Sequence, residues 1–343
     1  MKSTIKSLGC SAQEARSLMN RWGKARRPFL FLIDYKCEDC IVHPLDSIDT
    51  AQIRFEFPRH SSQHTAEKVQ KSAVSSQTSW QIHPSSFADY ERGFHLVQRH
   101  IARGDSFLVN YTCAVPISTQ LSLDNLFASA RADYKVWVKD QFVCFSPEPF
   151  VKIEGARIRT FPMKGTILER ETDAAQQLLS NPKEQAEHAT IVDLLRNDLS
   201  QIASGVHVEQ YRYIQRVETK DGGLLQTSSA ITGQLAADAF DTLGDLLFAL
   251  LPAGSVTGAP KPKTLEIIDA AEDHERGFYT GVMGVFDGSS VDSAVMIRFV
   301  EQQTSGQLVY KAGGGITMQS QAWSEYDEVI QKAYCPIPLD DSL

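Results

Sequence analysis

Two adjacent segments with the pattern of β-hairpins constrain the fold more than any other feature of the sequence. Residues 134–145 read YKVWV-KD-QFVCF and residues 150–161 read FVKI-EG-ARIRTF, each with a two-residue turn between apolar runs. Such pairs predict neighbouring antiparallel strands. Residues 106–115 predict another strand, and residues 277–317, with turns at DGSS and QTSG, predict a meander of three strands.

Helical patterns lie between the strands. Apolar residues recur at helical spacing from Phe87 to Ile101, and the last helix is predicted to begin at Ser324, with Asp327 completing a partial capping box. The other predicted helices cover residues 182–199, 241–251 and 261–272. Because the strands come in hairpins and do not alternate with helices as βαβ units, the predicted fold class is α+β with a mainly antiparallel sheet.

The 343 residues, 42% of them apolar, can form one large domain with an extensive core. We place the main domain at residues 86–337. Residues 1–85 are predicted to be a short N-terminal region, with strand patterns at 28–57 and a polar linker at 58–82. The six cysteines suggest no disulfide framework, and the isolated Cys37-x-x-Cys40 pair predicts reduced thiols more than a zinc or redox site.

The charge balance argues against binding to nucleic acid or to an anionic membrane. Acidic residues number 42 against 34 basic ones, which gives a net charge of −8. The longest apolar run, Leu246 to Leu251, is too short to cross a bilayer, and the N-terminus lacks the pattern of a signal peptide. We therefore expect a cytoplasmic protein in which any anionic substrate meets a local positive site.

Two predicted helices carry carboxylates on faces where apolar residues are expected. Glu187 shares a face with Ile191 and Leu195, and Glu184 flanks it; Glu325 and Glu328 share a face of the last helix with Lys332. A buried carboxylate needs a partner, and two such helices could share one Mg²⁺ ion. The alternative is two unrelated, solvated acidic faces.

Three other segments place charged or special residues in unusual settings. Residues 291–300, VDSAVMIRFV, read as a strand that is apolar on both faces, so Arg298 needs either a salt bridge or a cavity that holds an anion. The Gly313-Gly314-Gly315 run is either a tight turn or a backbone anion site. Lys164, in FPMKGT, is either a surface lysine or a desolvated nucleophile.

Nine segments, in this order, resemble the chorismate-utilising enzymes, a family that includes anthranilate, aminodeoxychorismate, isochorismate and salicylate synthases. The segments are GDSFLVN (104–110), SPEPF (146–150), PMKGT (162–166), KEQAEHATIVDLLRNDL (183–199), PAGSVTGAPK (252–261), FYTGVMG (278–284), DSAVMIRF (292–299), AGGGIT (312–317) and EYDEVIQKA (325–333). The resemblance covers residues 86–335. It implies two packed, mainly antiparallel sheets flanked by helices, with the active site in a deep cleft.

The resemblance also implies roles for individual residues, all of them expectations here. The implied magnesium ligands are Glu187 and Glu328, with Glu184 and Glu325 close by or acting through water. The implied substrate-binding residues, which include the site for the enolpyruvyl carboxylate of chorismate, are Tyr279, Arg298, Gly313, Gly315, Lys332, Gly258 and Thr166. Magnesium would hold the ring carboxylate of chorismate.

Lys164 points to one reaction within the family, because aminodeoxychorismate synthases resemble this chain in having lysine inside P-x-K-G-T. The implied activity is amino-group transfer to chorismate, on the way to p-aminobenzoate and folate. Lys164 would attack C2 of chorismate while Glu148 protonates the leaving C4 hydroxyl, and ammonia would then expel the lysine. The sequence has no G-x-C-x-G nucleophile turn, so no fused glutaminase of that type is expected. The family usually works with a separate glutamine amidotransferase subunit, and the resemblance implies such a partner as the ammonia source.

Some positions depart from the family pattern. Leu108 and Gln226 stand where glutamine and histidine are frequent, and residues 167–168 replace an arginine. Anthranilate synthase component I and isochorismate synthase therefore remain alternative activities, in which Lys164 would be incidental. An inactive chorismate-binding subunit is a third possibility, although the intact set of implied catalytic residues argues against it.

Overall fold

A computed structural model of the chain describes residues 8–62, 79–219 and 222–337, and its strands form two sheets. The strands are β1 (Cys10–Ser11), β2 (Phe29–Ile33), β3 (Asp39–Pro44), β4 (Ile53–Phe57), β5 (His60–Ser61), β6 (Trp80–Ile82), β7 (Leu108–Thr119), β8 (Tyr134–Val138), β9 (Phe142–Ser146), β10 (Pro149–Glu154), β11 (Arg157–Thr160), β12 (Met163–Leu168), β13 (Ser204–Thr219), β14 (Gly222–Gln234), β15 (Gly258–Ala259), β16 (Val282–Phe286), β17 (Ser290–Val295), β18 (Phe299–Gln302) and β19 (Leu308–Ile316). The α-helices are α1 (Ala12–Lys24), α2 (Phe87–Ala102), α3 (Leu123–Ser129), α4 (Ala174–Ser180), α5 (Pro182–Ser200), α6 (Leu243–Ala249), α7 (Lys261–Ala271) and α8 (Ala322–Lys332).

Both sheets are antiparallel. The first has the order β1-β3-β2-β16-β17-β10-β11-β14-β12, with β13 also paired to β14. The second has the order β15-β7-β19-β18-β9-β8-β4-β5, with β6 paired to β7. Both predicted hairpins, β8–β9 and β10–β11, are present, and the predicted fold class is confirmed.

The two sheets pack face to face because their central strands are apolar on both sides. Every residue of β2 is buried; Phe29 and Phe31 face the helices, and Leu30 and Leu32 face the second sheet. Each such side chain contributes about 1.5–3 kcal/mol by leaving water. Helices α1, α5 and α6 cover the outer face of the first sheet, and α2, α3, α7 and α8 cover that of the second.

The N-terminal strands belong to the same two sheets as the main domain. Strand β2 pairs with β16, and β4 pairs with β8. The boundary predicted at residue 86 therefore does not separate the strands into two folding units. The reason is physical: β2 is apolar on both faces and β4 on one face, and the packed sheets and helices bury these apolar faces.

The strand predicted across residues 291–300 is in fact two strands in different sheets. Strand β17 ends at Val295 in the first sheet, and β18 begins at Phe299 in the second. Arg298 between them has a φ angle of 55°, in the left-handed region, where the chain changes direction. The region 277–317 therefore holds four strands, and the last helix begins at Ala322, without the predicted capping box.

One segment, residues 239–256, is apolar enough by length and composition to cross a membrane, with a mean hydropathy of 1.3. It is interrupted between α6 and a 3₁₀ turn at Gly254–Val256, and 56% of it is buried. Leu243 and Leu247 are at most 1% exposed and pack under the first sheet. Core packing therefore accounts for its apolar character. The six cysteines are free thiols, with Cys10 opposite Cys40 on neighbouring strands.

Candidate active site

A strand of three glycines forms the floor of the candidate site. Gly313–Gly315 lie in β19 and pair with Thr112–Asn110 of β7, so they belong to a regular strand and not to a turn. A Cβ atom at Gly314 would lie 3.5 Å from Oε2 of Glu325 and 3.7 Å from Oε1 of Glu328. A Cβ atom at Gly315 would lie 3.4 Å from Nζ of Lys164. Charged side chains therefore approach the backbone of this strand on both faces, at van der Waals distance from where a Cβ atom would lie.

Helix α8 presents its predicted charged face to this strand. Lys332 donates a hydrogen bond of 2.9 Å to the carbonyl of Gly313 and lies 2.5 Å from Oε1 of Glu328. Glu325, one turn earlier, is only 7% exposed. Burial lowers the pKa of the Lys332 amine, Glu328 opposes that effect, and the cations Arg298 and Lys164 reinforce it.

Helix α5 and strand β12 form the opposite wall. Oε2 of Glu187 lies 3.9 Å from Nζ of Lys164. Oε2 of Glu184 lies 2.6 Å from the place that a Cβ atom of Gly165 would take. The hydroxyl of Thr227 in β14 donates to the Lys164 carbonyl, which fixes the strand at this point. Both α5 carboxylates therefore face the segment that carries Lys164.

Substitution of Gly165 by alanine should damage both the fold and the site. Gly165 has a φ angle of +74°, and the new methyl group would meet Glu184. We expect the free energy of unfolding to fall by about 1–3 kcal/mol and turnover to fall with it. Urea denaturation and steady-state kinetics measure the two effects.

Gly104→Ala is the matched control, because Gly104 has a φ angle of +82° and open space around its Cα. It should lose only the conformational part, about 1 kcal/mol, and keep its activity. Equal stability losses in the two variants, with full activity in Gly165→Ala, would contradict the contact with Glu184.

His188 anchors α5, a role that the sequence analysis did not assign. The ring is fully buried, and Nε2 lies 2.7 Å from the hydroxyl oxygen of Ser229 in β14. Burial lowers the pKa of His188 to about 4, with contributions from Arg212 and Lys164, so the ring is neutral at neutral pH. Its helical spacing to Ile191 and Leu195 places it on the buried face, and this spacing was the available signal.

Glu148 lies in the connection between β9 and β10, where its backbone N–H donates to the Ser146 hydroxyl at 3.1 Å. Burial raises the pKa of the Glu148 carboxyl group. A hydrogen bond to Ser255 and the charges of Lys164, Arg298 and Lys332 act in the opposite direction without cancelling the effect. A carboxyl group that keeps its proton more readily than usual is suited to general-acid chemistry.

Arg298 supplies a partly buried positive charge. Among the residues that the structure describes, no ion pair within 4 Å includes its guanidinium. Its neighbours are instead the phenol groups of Tyr279, Tyr310 and Tyr334. Tyr279 is 3% exposed, and burial raises the pKa of its phenol. A guanidinium that forms no close ion pair with the described carboxylates can bind an anion.

Segments far apart in sequence thus meet in one cluster of charged side chains. Lys164, Arg298 and Lys332 all influence Glu148, and the carboxylates of α5 and α8 lie against Lys164 and Lys332 of this cluster. Leu108 lines it as well, since its Cδ1 lies 3.0 Å from a Cβ position on Gly315.

The structure places the two remaining predicted residues at the margin of this cluster. Thr166 is exposed and pairs with Gln226, just past a bulge that separates it from Lys164. Gly258, with a φ angle of +127°, lies in β15; a Cβ atom there would be 1.9 Å from the carbonyl oxygen of Leu108. Its role visible in the structure is therefore close packing of two backbones.

The carboxylates of α5 and α8 can be compared with the ligands that a magnesium ion prefers. The described residues contain no group of three His, Cys, Asp or Glu side chains arranged around one point. Mg²⁺ binds through only one or two protein carboxylates and otherwise keeps water or substrate oxygens. The oxygens of Glu325 and Glu328 beside Gly314, with Glu187 beside Lys164, are donors of the type that Mg²⁺ prefers.

Comparison with known proteins gives relatives along nearly the whole chain. An uncharacterized PabA-like protein of Haemophilus influenzae is 46% identical, and the alignment covers 93% of this chain and 95% of that protein. Aminodeoxychorismate synthase component 1 of Bacillus subtilis is 31% identical over 71% of this chain, and the chain spans 54% of its length.

Solved structures give the same result for the fold. Anthranilate synthase component I from Streptococcus pneumoniae matches with a TM-score of 0.61 and 27% identity, over 75% of this chain and 58% of that one. The model of the chorismate binding enzyme family matches residues 28–338. The chain therefore belongs to the chorismate-binding enzyme family.

Proposed function

We propose that this protein converts chorismate and ammonia to 4-amino-4-deoxychorismate, a precursor of p-aminobenzoate and folate. The observation that carries the proposal is the position of Lys164, whose amine lies 3.9 Å from Glu187 and acts electrostatically on Glu148. An amine beside a proton donor is the pair that nucleophilic displacement of a hydroxyl group requires. Relatives named aminodeoxychorismate synthase component 1 support this choice.

The proposed reaction has two displacements. The Lys164 amine forms a bond to C2 of chorismate, the double bond shifts, and the C4 hydroxyl leaves as water after it takes the proton of Glu148. Ammonia then bonds to C4, the double bond shifts back, and the C2–nitrogen bond breaks to return the lysine. The lysine nitrogen keeps both of its hydrogens and leaves as the neutral amine. The incoming ammonia loses one proton as it becomes the C4 amine, and this proton restores Glu148, so the overall reaction is chorismate plus ammonia to aminodeoxychorismate plus water.

The other residues bind and orient the substrate in this proposal. Arg298, Tyr279 and the backbone of Gly313 and Gly315 hold the enolpyruvyl carboxylate, and Lys332 lies beside the proposed metal site, where it contacts Glu328. Glu187 and Glu328, with Glu184 and Glu325 nearby, would hold Mg²⁺, which supplies positive charge to the ring carboxylate. These local positive charges let a protein with a net charge of −8 bind a dianion.

Product analysis tests the proposal directly. The protein is incubated with chorismate, magnesium and an ammonium salt, and the products are identified by mass spectrometry. We expect non-aromatic aminodeoxychorismate and a transient mass increase on the peptide that contains Lys164. Fluorescent anthranilate with release of pyruvate would instead establish the anthranilate synthase alternative. The likeness to anthranilate synthase component I is the reason to test for this product. Isochorismate would indicate the isochorismate synthase alternative, and binding without any turnover would indicate an inactive subunit.

A glutamine amidotransferase subunit is the proposed source of ammonia, and the cytoplasm is the proposed location. With glutamine in place of ammonium, turnover should require a cognate amidotransferase. Failure of glutamine to support turnover when that partner is added would reject the partnership and leave the reaction with ammonium intact.

Removal of magnesium should abolish turnover. We expect EDTA to stop product formation and added Mg²⁺ to restore it, and Glu328→Gln to raise the Mg²⁺ concentration for half-maximal activity by about tenfold or more. Asp327→Asn, an exposed position on the same helix, is the control and should behave like the parent protein. Full activity in EDTA would contradict the metal assignment.

A further inference from the structure

Tyr334 lies beside the Arg298 guanidinium, at the edge of the candidate active site. The Cζ atom of Arg298 is 5.8 Å from the centroid of the Tyr334 ring. Tyr334 is 52% exposed, whereas Tyr279 and Tyr310, the other phenols near this guanidinium, are 3% and 1% exposed. Of these three tyrosines, Tyr334 is the one that an incoming substrate meets in solvent.

The segment that carries Tyr334 is held in place by backbone contacts. Ala333, the preceding residue, accepts a hydrogen bond of 3.0 Å from Nε1 of Trp80, and its own N–H donates to the carbonyl of Ile330. Lys332, one residue earlier, is bound to Gly313. The end of α8 thus places an amine and a phenol next to each other at the site.

The hydrogen-bonding capacity of the three groups explains what a phenol can add at this position. An arginine side chain only donates hydrogen bonds and a carboxylate only accepts them, whereas a phenol does both. A phenol oxygen that accepts from Arg298 keeps its own O–H free to donate. Burial lowers the pKa of Arg298, but Tyr310 and Tyr334 outweigh that effect, so the guanidinium stays charged.

We propose that Tyr334 is a substrate-binding residue whose phenol O–H donates a hydrogen bond to the carboxylate that Arg298 holds. The inference rests on the proposed function for the identity of that ligand, the enolpyruvyl carboxylate of chorismate. Tyr334 lies just beyond the EYDEVIQKA segment that carries the family resemblance. It therefore adds a contact that belongs to this chain's own C-terminal segment.

The test compares Tyr334→Phe, Tyr334→Ala and the control Tyr326→Phe in the full-length protein. Tyr326 lies on the same helix, and its hydroxyl donates to the Ser85 carbonyl at 2.6 Å, away from Arg298. Isothermal titration calorimetry with magnesium gives the Kd for chorismate, and steady-state kinetics give KM and kcat. We expect Tyr334→Phe to raise Kd and KM about tenfold with kcat unchanged, and Tyr326→Phe to leave all three unchanged.

Two results would overturn the inference. If Tyr334→Phe binds chorismate as the parent protein does, the hydroxyl makes no contact, and weaker binding confined to Tyr334→Ala would assign the ring a packing role only. A loss of thermal stability in Tyr334→Phe that matches its loss of affinity would indicate a structural role. The binding measurement does not depend on the product: a product other than aminodeoxychorismate rejects the proposed function alone, and a parent protein that does not bind chorismate rejects both.

Discussion

Replacement of Lys164 by alanine is expected to lower kcat/KM with ammonium by about three orders of magnitude, which corresponds to roughly 4 kcal/mol of transition-state stabilisation. The variant loses the proposed nucleophile of the first displacement and a cation 3.9 Å from Glu187. Chorismate should still bind, since Arg298 and Lys332 remain. Steady-state kinetics and calorimetry measure the two quantities, and mass spectrometry should find no adduct on this variant.

Lys164→Arg separates the two roles of the side chain. Arginine keeps the positive charge but does not lose its proton, so it cannot act as a nucleophile. We expect chorismate affinity near that of the parent protein and turnover as low as in Lys164→Ala. Lys263→Ala, at an exposed lysine on α7 paired with Glu266, is the surface control and should be fully active. Parent-like turnover in Lys164→Ala would reject the nucleophile and with it the reason to prefer aminodeoxychorismate as the product.

Replacement of Glu148 by glutamine should lower kcat by about 100- to 10,000-fold, because the amide keeps the shape of the side chain but cannot give a proton to the leaving hydroxyl. The KM for chorismate should change little. In the parent protein kcat/KM should fall as the pH rises through the raised pKa of Glu148, and this limb of the profile should be absent from the residual activity of the variant. An unchanged pH profile in Glu148→Gln would assign the proton donor to another group.

The raised pKa also has a consequence for stability, with a defined sign. Between the unfolded pKa of about 4.5 and the higher folded value, the folded protein binds more protons at Glu148 than the unfolded chain does. This group therefore makes the folded state less stable as the pH rises through that window. Glu148→Gln removes this contribution, so its thermal midpoint should decline less between acid and neutral pH. This measurement also verifies that the variant folds.

Local patterns were sufficient to locate most elements. Alternation, turn residues and helical spacing predict the hairpins at 134–145 and 150–161 and the helix at 182–199. These patterns depend only on residues that are close in sequence. The break at Arg298 was different. Residues 291–300 have apolar residues on both faces, and such a pattern fits one continuous strand as well as two strands buried in two sheets. Only the packing of the sheets decides where the chain crosses.

The sequence by itself determined the hairpin-rich fold class, the acidic faces of α5 and α8 and the family, because these depend on local spacing and on motif order. The tertiary structure decided that Lys164, Glu148, Arg298 and Lys332 lie close together, that the N-terminal strands complete both sheets, that His188 anchors α5 and that Tyr334 lies beside Arg298. The physical reason is that these contacts join residues from different parts of the chain, such as Lys164 and Arg298. Such contacts depend on strand order and sheet packing, which no local pattern encodes.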